Sequence, residues 1–207
     1  MPDKNEHWET VYATKTADAV SWYQANPGPS LAALEHYGAP ADTAFLDVGG
    51  GASTLVDHLL ELGWTDVTVL DIAPSALETS KTRLGERAPQ VEWVAADITR
   101  WKPARAFDIW HDRAVFHFLI EEADRQAYQA ALLAGLKPGG LLIMATFALD
   151  GPEKCSGLPV ARYDPARLQA TLGDAFEPVE AWDESHQTPW GSVQQFNWCV
   201  FRRSPMG

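Results

Sequence analysis

The segment from Thr43 to Gly51 constrains the fold of this chain more than any other feature of the sequence. Its first six residues, TAFLDV, form a mostly apolar run that predicts a buried strand. Three glycines follow, and beyond them Leu55, Leu59 and Leu62 recur at helical spacing. A strand, a glycine turn and a helix in this order open an α/β unit, and in open parallel sheets ligands bind beyond the carboxyl ends of the strands. We therefore expect this turn to line a ligand site.

The same alternation of strand and helix continues along the chain. A Pro-Ser pair at 74 and 75 opens the second helix, and a Lys-Pro-Gly-Gly turn precedes the last parallel strand. The remaining predicted elements are strands at Val67–Leu70, Val91–Ala95, Phe107–His111 and Leu141–Phe147, a helix over Glu121–Leu136, and a terminal antiparallel pair of strands at Phe176–Trp182 and Val193–Phe201. This pattern predicts an α/β fold with a parallel sheet covered by helices on both faces.

Length, charge and cysteine content narrow the possible functions. We expect one domain, residues 1–207, as a monomer or homodimer. Sixteen basic and 28 acidic residues give a formal charge of −12, which disfavours nucleic acid as a partner because the protein repels phosphates. The only cysteines, Cys155 and Cys199, are too few for a disulfide framework or a zinc site, so we predict a reducing cytoplasm and no bound metal. We find no secretory leader and no apolar stretch of about 18 residues, and therefore expect no membrane insertion.

The residues of the glycine turn indicate the kind of ligand. We expect Asp47, Gly49, Gly50, Gly51 and Ser53 to line the pocket, because glycine lets the backbone approach a ligand closely. A dinucleotide site is disfavoured, since position 54 holds threonine instead of the third glycine and a carboxylate would repel a pyrophosphate. A carboxylate at this place suits a ligand with an ammonium group and no phosphate, such as the methionine part of S-adenosylmethionine.

Two further acids follow the next two predicted strands. Asp71 lies 20 residues after Gly51, where a carboxylate can accept hydrogen bonds from both ribose hydroxyls. Asp97 follows the third strand and can bind an adenine amino group, with Ile72 and Ile98 as apolar walls for the ring. Each acid alone would be an ordinary surface charge or helix cap. Acids at the ends of three successive strands predict a nucleoside site.

The motifs around these residues resemble those of class I S-adenosylmethionine-dependent methyltransferases. The resemblance covers about residues 43 to 148 and rests on LDVGGGAS, VLDIAPSAL, AADIT and LKPGGLLI, at 46–53, 69–77, 95–99 and 136–143. It implies a Rossmann-like three-layer sandwich, a seven-stranded mostly parallel sheet with an antiparallel last strand, and S-adenosylmethionine as cofactor. The triple glycine departs from the usual pattern only in its middle residue.

Residues 1–40 precede the first strand and are rich in aromatic side chains. We predict a helical cap over the cofactor site, in which Trp22 contacts the cofactor and Tyr12 contacts the substrate. The alternative is that these aromatic residues only pack on the core.

Methyl transfer from a sulfonium needs the donor and nucleophile held in line, and that alignment can supply about 7 to 11 kcal/mol of the barrier. The segment after the fourth strand is expected to surround the methyl group. We predict His111 as a cofactor contact, Phe116 as a substrate contact, and Asp112, Arg113 and His117 as catalytic residues. Two of these have structural alternatives: His117 as a packing histidine, and Arg113 in an ion pair with Asp112 or Asp108.

Two segments point to the acceptor. HDRAVFHFL, at 111–119, and DGPEKCSGLPV, at 150–160, resemble the thiopurine and thiol/halide S-methyltransferase branch. The resemblance implies a small soft nucleophile such as a thiol, hydrogen sulfide or a related chalcogen compound. We expect Lys154, Cys155 and Ser156 to contact it from a substrate loop at 150–163, although Cys155 is open to a purely structural role.

Two other functions remain open at this point. HWETVYATKTADAVSWYQ, at 7–24, resembles the leading segment of protein lysine methyltransferases that act on elongation factors. Those enzymes usually have an acid followed by Lys and Gly after the fourth strand, whereas this chain has Asp112, Arg113 and Ala114. A nonenzymatic cofactor-binding protein is also compatible with the fold.

Overall fold

The computed structural model describes residues 4–205, so the first three residues of the predicted cap lie outside it. Six α-helices are found in this range: α1, Lys4–Thr14; α2, Gly28–His36; α3, Leu55–Glu61; α4, Pro74–Leu84; α5, Glu122–Gly135; and α6, Pro165–Leu172. Short 3-10 helices lie at Ala17–Ala19, Gly85–Gln90 and Phe116–Phe118. Among the helices of residues 4–205, none is both long enough and apolar enough to cross a bilayer.

The strands form one large sheet and one small hairpin. They are β1, Phe45–Val48; β2, Val67–Asp71; β3, Val91–Ala95; β4, Phe107–Arg113; β5, Leu136–Phe147; β6, Lys154–Cys155; β7, Leu158–Pro159; β8, Phe176–Gln187; and β9, Val193–Arg203. The large sheet has the order β3-β2-β1-β4-β5-β9-β8, and β9 runs antiparallel to both of its neighbours. The predicted Rossmann-like α/β sandwich with a seven-stranded, mostly parallel sheet is confirmed.

Burial on both faces explains why the central strands are so apolar. All residues of β1 and β2 are buried. Because side chains alternate along a strand, Phe45 packs into one apolar cluster and Leu46 into the cluster on the other face. Each large side chain removed from water in this way contributes about 1.5 to 3 kcal/mol. These two clusters hold the sheet rigid, so the residues at its carboxyl edge have fixed positions.

One strand end differs from the prediction in a way that affects the site. β4 continues to Arg113, because Asp112 and Arg113 pair with Met144 and Ala145 of β5. Asp112 and Arg113 are therefore strand residues, and their side chains leave the sheet on opposite faces.

Candidate active site

Three carboxylates lie at one edge of the sheet. Asp47 is in β1, Asp71 is the last residue of β2, and Asp97 follows β3 by two positions. Asp71 and Asp97 line one cavity, and Asp47 lines a second cavity that shares Val48 and Gly49 with the first. We call the two cavities the nucleoside cavity and the Asp47 cavity. The structure thus brings the three predicted acids together around one cleft.

The glycine turn approaches these carboxylates so closely that it leaves no room for side chains. A Cβ at Gly50 would lie 2.2 Å from Asp47 Oδ2, and a Cβ at Gly51 would lie 2.5 Å from Asp71 Oδ2. Gly49 has a φ of 72°, a conformation that residues with a Cβ rarely adopt. Gly49 and Gly50 therefore expose backbone to the cleft where the sequence predicts a ligand, whereas Gly51, which was also predicted to line the pocket, lines neither cavity because it packs against Asp71 and Ala76.

Asp71 and Asp97 are held by donors from their own loops. Asp71 accepts from the backbone N–H of Gly51 at 3.0 Å and of Ala73 at 2.8 Å. Burial raises the pKa of Asp71 to about 6, and the two N–H donors oppose that rise. Asp97 Oδ1 accepts from the N–H and hydroxyl of Thr99, while its Oδ2 has no hydrogen-bond partner within residues 4–205. Both carboxylates therefore have fixed positions and spare acceptor capacity.

The nucleoside cavity also has an apolar slot. The predicted walls, Ile72 and Ile98, both line it, together with Leu70, Ala96 and Leu119. An apolar space next to a carboxylate with a free oxygen is suited to a ring that carries an amino group.

A buried chain of hydrogen bonds fixes Asp47. Its neighbour in β4, His111, places Nδ1 2.7 Å from Asp47 Oδ1, and the hydroxyl of Ser30 from α2 lies 3.0 Å from His111 Nε2. An Nδ1–H that donates to Asp47 and a Ser30 hydroxyl that donates to Nε2 satisfy all three groups. The three residues line the Asp47 cavity with Ser53, whose hydroxyl accepts from the N–H of Leu55. Sequence reasoning missed Ser30, because a single serine in a helix carries no signal of this role.

Aromatic side chains from the N-terminal segment cover the cleft. Tyr12 and Trp22 line both cavities, while Trp8 and Phe118 line the nucleoside cavity. Ring centroids of Trp8 lie 5.6 Å from Trp22 and 5.0 Å from Phe118, in edge-to-face contact. Trp8 and Tyr12 are four residues apart on α1, a helical spacing that places both on one face. Residues of α1 and of the segment that follows it therefore line the cleft, and they include Trp8, which sequence reasoning did not select.

The predicted catalytic residues occupy different environments. Asp112 is fully buried, lines neither cavity and accepts hydrogen bonds from Val115, Phe116 and the hydroxyl of Tyr128. Those contacts fix the segment after β4 against α5. Burial raises the pKa of Asp112 to about 6.

Arg113 lies on the face of the sheet opposite to Asp112 and lines both cavities. Its Nη1 donates to the carbonyl oxygen of Trp22 at 2.9 Å, and its Nη2 lies 3.7 Å from Glu184 Oε1. The ion-pair partner is thus Glu184 of β8 instead of Asp112 or Asp108. Arg113 also connects the sheet to the aromatic cap.

His117 and Phe116 are fully buried and line neither cavity. His117 Nδ1 accepts from the N–H of Phe147 at 3.3 Å, and burial lowers its pKa to about 3. This environment matches the structural alternative for His117, a histidine packed among aromatic rings.

The loop at 150–163 contributes one side chain to the cleft. Cys155 lines the nucleoside cavity from β6, and burial raises the pKa of its thiol to about 11. Lys154 is exposed, and neither it nor Ser156 lines a cavity of the cleft. Lys154 and Ser156 lie away from the cleft because β6 and β7 form a hairpin. Its tight turn contains Ser156 and Gly157, both with positive φ.

Comparison with known proteins agrees with this geometry. Residues 45–140 match the family model of a methyltransferase domain. The part of the chain that carries the glycine turn and the three acids is thus similar to a methyltransferase domain, on the fold that the sequence predicted.

Individual relatives differ in their acceptors. A trans-aconitate 2-methyltransferase of Azoarcus sp. strain BH72 is 33% identical over 151 residues, which cover 69% of this chain and 55% of the relative. The chain spans about half the length of the curated relatives that it matches.

Two solved structures share the fold. One is the N-methyltransferase NodS of Bradyrhizobium japonicum WM9 with S-adenosylhomocysteine, with a TM-score of 0.71, 18% identity, and 97% of this chain and 99% of that chain covered. The other is a 1,6-didemethyltoxoflavin N1-methyltransferase of Burkholderia thailandensis, with a TM-score of 0.70 and 22% identity. The match covers 97% of this chain and 87% of that chain. The branch that methylates thiols is not among these three proteins.

Proposed function

We propose that this protein transfers a methyl group from S-adenosylmethionine to a small-molecule acceptor in the cleft under the aromatic cap. The proposal rests on one observation: three carboxylates lie around a glycine turn that has no room for side chains, and they are those of Asp47, Asp71 and Asp97. Carboxylates suit the ammonium, ribose hydroxyl and adenine amino groups of this donor, which carries no phosphate.

Each part of the donor has residues of matching chemistry. Asp71 would accept hydrogen bonds from the ribose, Asp97 would accept from the adenine amino group, and Ile72 and Ile98 would enclose the ring. At the other end Asp47, held by His111 and Ser30, would bind the ammonium group. The donor supplies an electrophilic methyl group on a positively charged sulfur.

The protein's own residues contribute alignment and exclusion of water. Trp8, Tyr12, Trp22 and Phe118 enclose the cleft, and a cleft shielded from water strengthens electrostatic interactions inside it. The hydrogen bond from Arg113 to Trp22 keeps this cover in place and puts a positive charge at the wall that both cavities share.

The acceptor that we favour is a small soft nucleophile, in particular a thiol or hydrogen sulfide. Tyr12 and Cys155 both line the nucleoside cavity, and burial raises the pKa of each well above neutral pH, so neither is a base there. The acceptor must therefore lose its proton easily, and a nearby Arg113 favours a thiolate. A lysine amine, whose pKa is about 10.4 in water, is disfavoured for the same reason.

A carboxylate acceptor is the second candidate, because it needs no base and the curated relative from Azoarcus is named for trans-aconitate. The two acceptors give different products: a thiol gives a methyl thioether and hydrogen sulfide gives methanethiol, whose S–C bonds resist mild alkali, whereas a methyl ester is hydrolysed.

The test incubates purified protein with methyl-labelled donor and, in separate reactions, sulfide and small thiols, trans-aconitate and other carboxylic acids, and a cell extract. Label in an alkali-stable small product supports the thiol, and alkali-labile label supports the carboxylate. Label fixed in a protein band would contradict the small-molecule proposal. Donor binding without turnover of any substrate would favour a nonenzymatic protein. Asp71→Ala is the matched control for label that does not depend on the site.

A further inference from the structure

A third cavity with a distinct chemistry lies outside the cleft. It is an open groove between α5, α6 and the segment 160–163, and its lining includes Arg125, Arg162, Arg167 and Tyr163. No acidic residue is among its lining residues. Although the chain has a formal charge of −12, the three arginines give this groove a local positive charge.

Two of these arginines are held in place by backbone carbonyl groups. Arg125 Nη1 donates to the carbonyl oxygens of Leu119 at 3.0 Å and Ile120 at 2.6 Å, and Arg162 Nη1 donates to that of Gly151 at 3.2 Å. Each guanidinium has five N–H donors, so both keep free donors after these bonds. Arginines that are already ordered lose less conformational entropy when they bind a ligand.

The third arginine and the tyrosine complete the donor set. The Arg167 guanidinium has no hydrogen-bond or ion-pair partner within residues 4–205, and the same is true of the Tyr163 hydroxyl. Burial raises the pKa of Tyr163, while the charges of Arg125 and Arg167 lower it, so both cations act on the same hydroxyl. Donors from α5, α6 and the segment between them therefore converge on one place.

The acidic groups near this groove do not cancel its charge. Glu153 accepts from Arg162 Nη2 at 3.2 Å, but its side chain is 80% exposed, so the pair is weak. Asp164 accepts from the backbone N–H of Arg167, at the N-terminus of α6. Neither carboxylate lines the groove.

We propose that this groove, which we call the arginine groove, binds a compact anion with two or more negative charges. Guanidinium and phenol donors match the oxygen atoms of a phosphoryl group or a small polycarboxylate. The inference does not depend on the methyl-transfer proposal, because none of the groove residues lines the cleft.

The test is calorimetric titration of the full chain with inorganic phosphate, citrate and acetate at constant ionic strength, with and without S-adenosylhomocysteine. We expect phosphate or citrate to bind with a Kd of about 1 mM or lower, and acetate to bind at least about tenfold more weakly. The stronger of phosphate and citrate identifies the chemistry of the natural ligand.

Three variants make the test specific. Arg167→Ala should weaken binding about fivefold, and Glu153→Gln should tighten it about twofold, because the competing carboxylate is lost. Arg100→Ala, an exposed arginine that lines neither the cleft nor the groove, is the control and should bind as the wild type does. Equal affinities for Arg167→Ala and Arg100→Ala, or acetate binding as tightly as the polyvalent anions, would overturn the proposal.

Discussion

Replacement of Gly50 by alanine tests the fit between the glycine turn and its carboxylate. The new Cβ would lie 2.2 Å from Asp47 Oδ2 and 2.6 Å from its Cγ, whereas ordinary contacts begin near 3.4 Å. The φ of Gly50 is not positive, so the strain is steric and has no backbone component. The Asp47 side chain must move by about an ångström, and it cannot do so without breaking its 2.7 Å hydrogen bond to His111.

The expected cost follows from these two effects. Loss of a hydrogen bond to a charged group costs about 1.5 to 3 kcal/mol, and overpacking adds about 1 to 3 kcal/mol. For a domain of this size each kcal/mol lowers the melting temperature by about 2 to 4 °C, so we expect a decrease of about 5 to 24 °C. Affinity for S-adenosylhomocysteine should fall in parallel, because the displaced carboxylate no longer faces the Asp47 cavity.

Gly28→Ala is the matched control. Its φ is also not positive, and the nearest atom to a new Cβ lies 4.0 Å away. Because Gly28 is a helical residue directly before Pro29, a new Cβ is not expected to stabilise the fold there, and this change should leave binding unchanged and alter the melting temperature far less than Gly50→Ala does. Thermal unfolding and calorimetric titration measure both effects. A Gly50→Ala protein that melts and binds as the wild type does would show that the turn has room for a side chain beside Asp47.

The remaining predictions concern single polar groups of the cleft. Burial raises the pKa of Asp71 to about 6, and a ribose would be bound by the ionised carboxylate. Affinity for S-adenosylhomocysteine should therefore be constant above about pH 7 and fall by up to about tenfold per pH unit below 6. An Asp71→Asn protein with the same pH profile would contradict this prediction. Ser30→Ala leaves His111 Nε2 without its partner, so we expect the KM for the donor to rise severalfold while kcat at saturating donor stays near wild type. Cys155→Ala should keep donor affinity and change only the KM of the acceptor, and weakened donor binding in a titration would place Cys155 in the cofactor site instead.

The sheet and its acids were predictable because their signals are local and repeated. The first β-rich run ends in a glycine turn and the next two end at or within two residues of an acid, and parallel strands bring those ends to one edge. Asp47, Asp71 and Asp97 therefore lie at the same rim, as the spacing of the strands implied.

The environment of the catalytic candidates was not predictable in the same way. A prediction that ends β4 at His111 treats Asp112 and Arg113 as neighbours in one loop, whereas two more strand residues turn their side chains to opposite faces. Ser30 was missed for a different reason, since its contact with His111 joins residues 81 positions apart and no local pattern marks it.

Calorimetric titration of the purified protein with S-adenosylhomocysteine and, separately, with NAD is the decisive experiment on the proposed donor site. We expect binding of one S-adenosylhomocysteine per chain, a loss of affinity of at least about tenfold in Asp71→Ala, and no binding of the pyrophosphate-bearing nucleotide. Binding of NAD in preference, or S-adenosylhomocysteine affinity that is the same in Asp71→Ala as in the wild type, would rule out a methyl-donor site at these carboxylates.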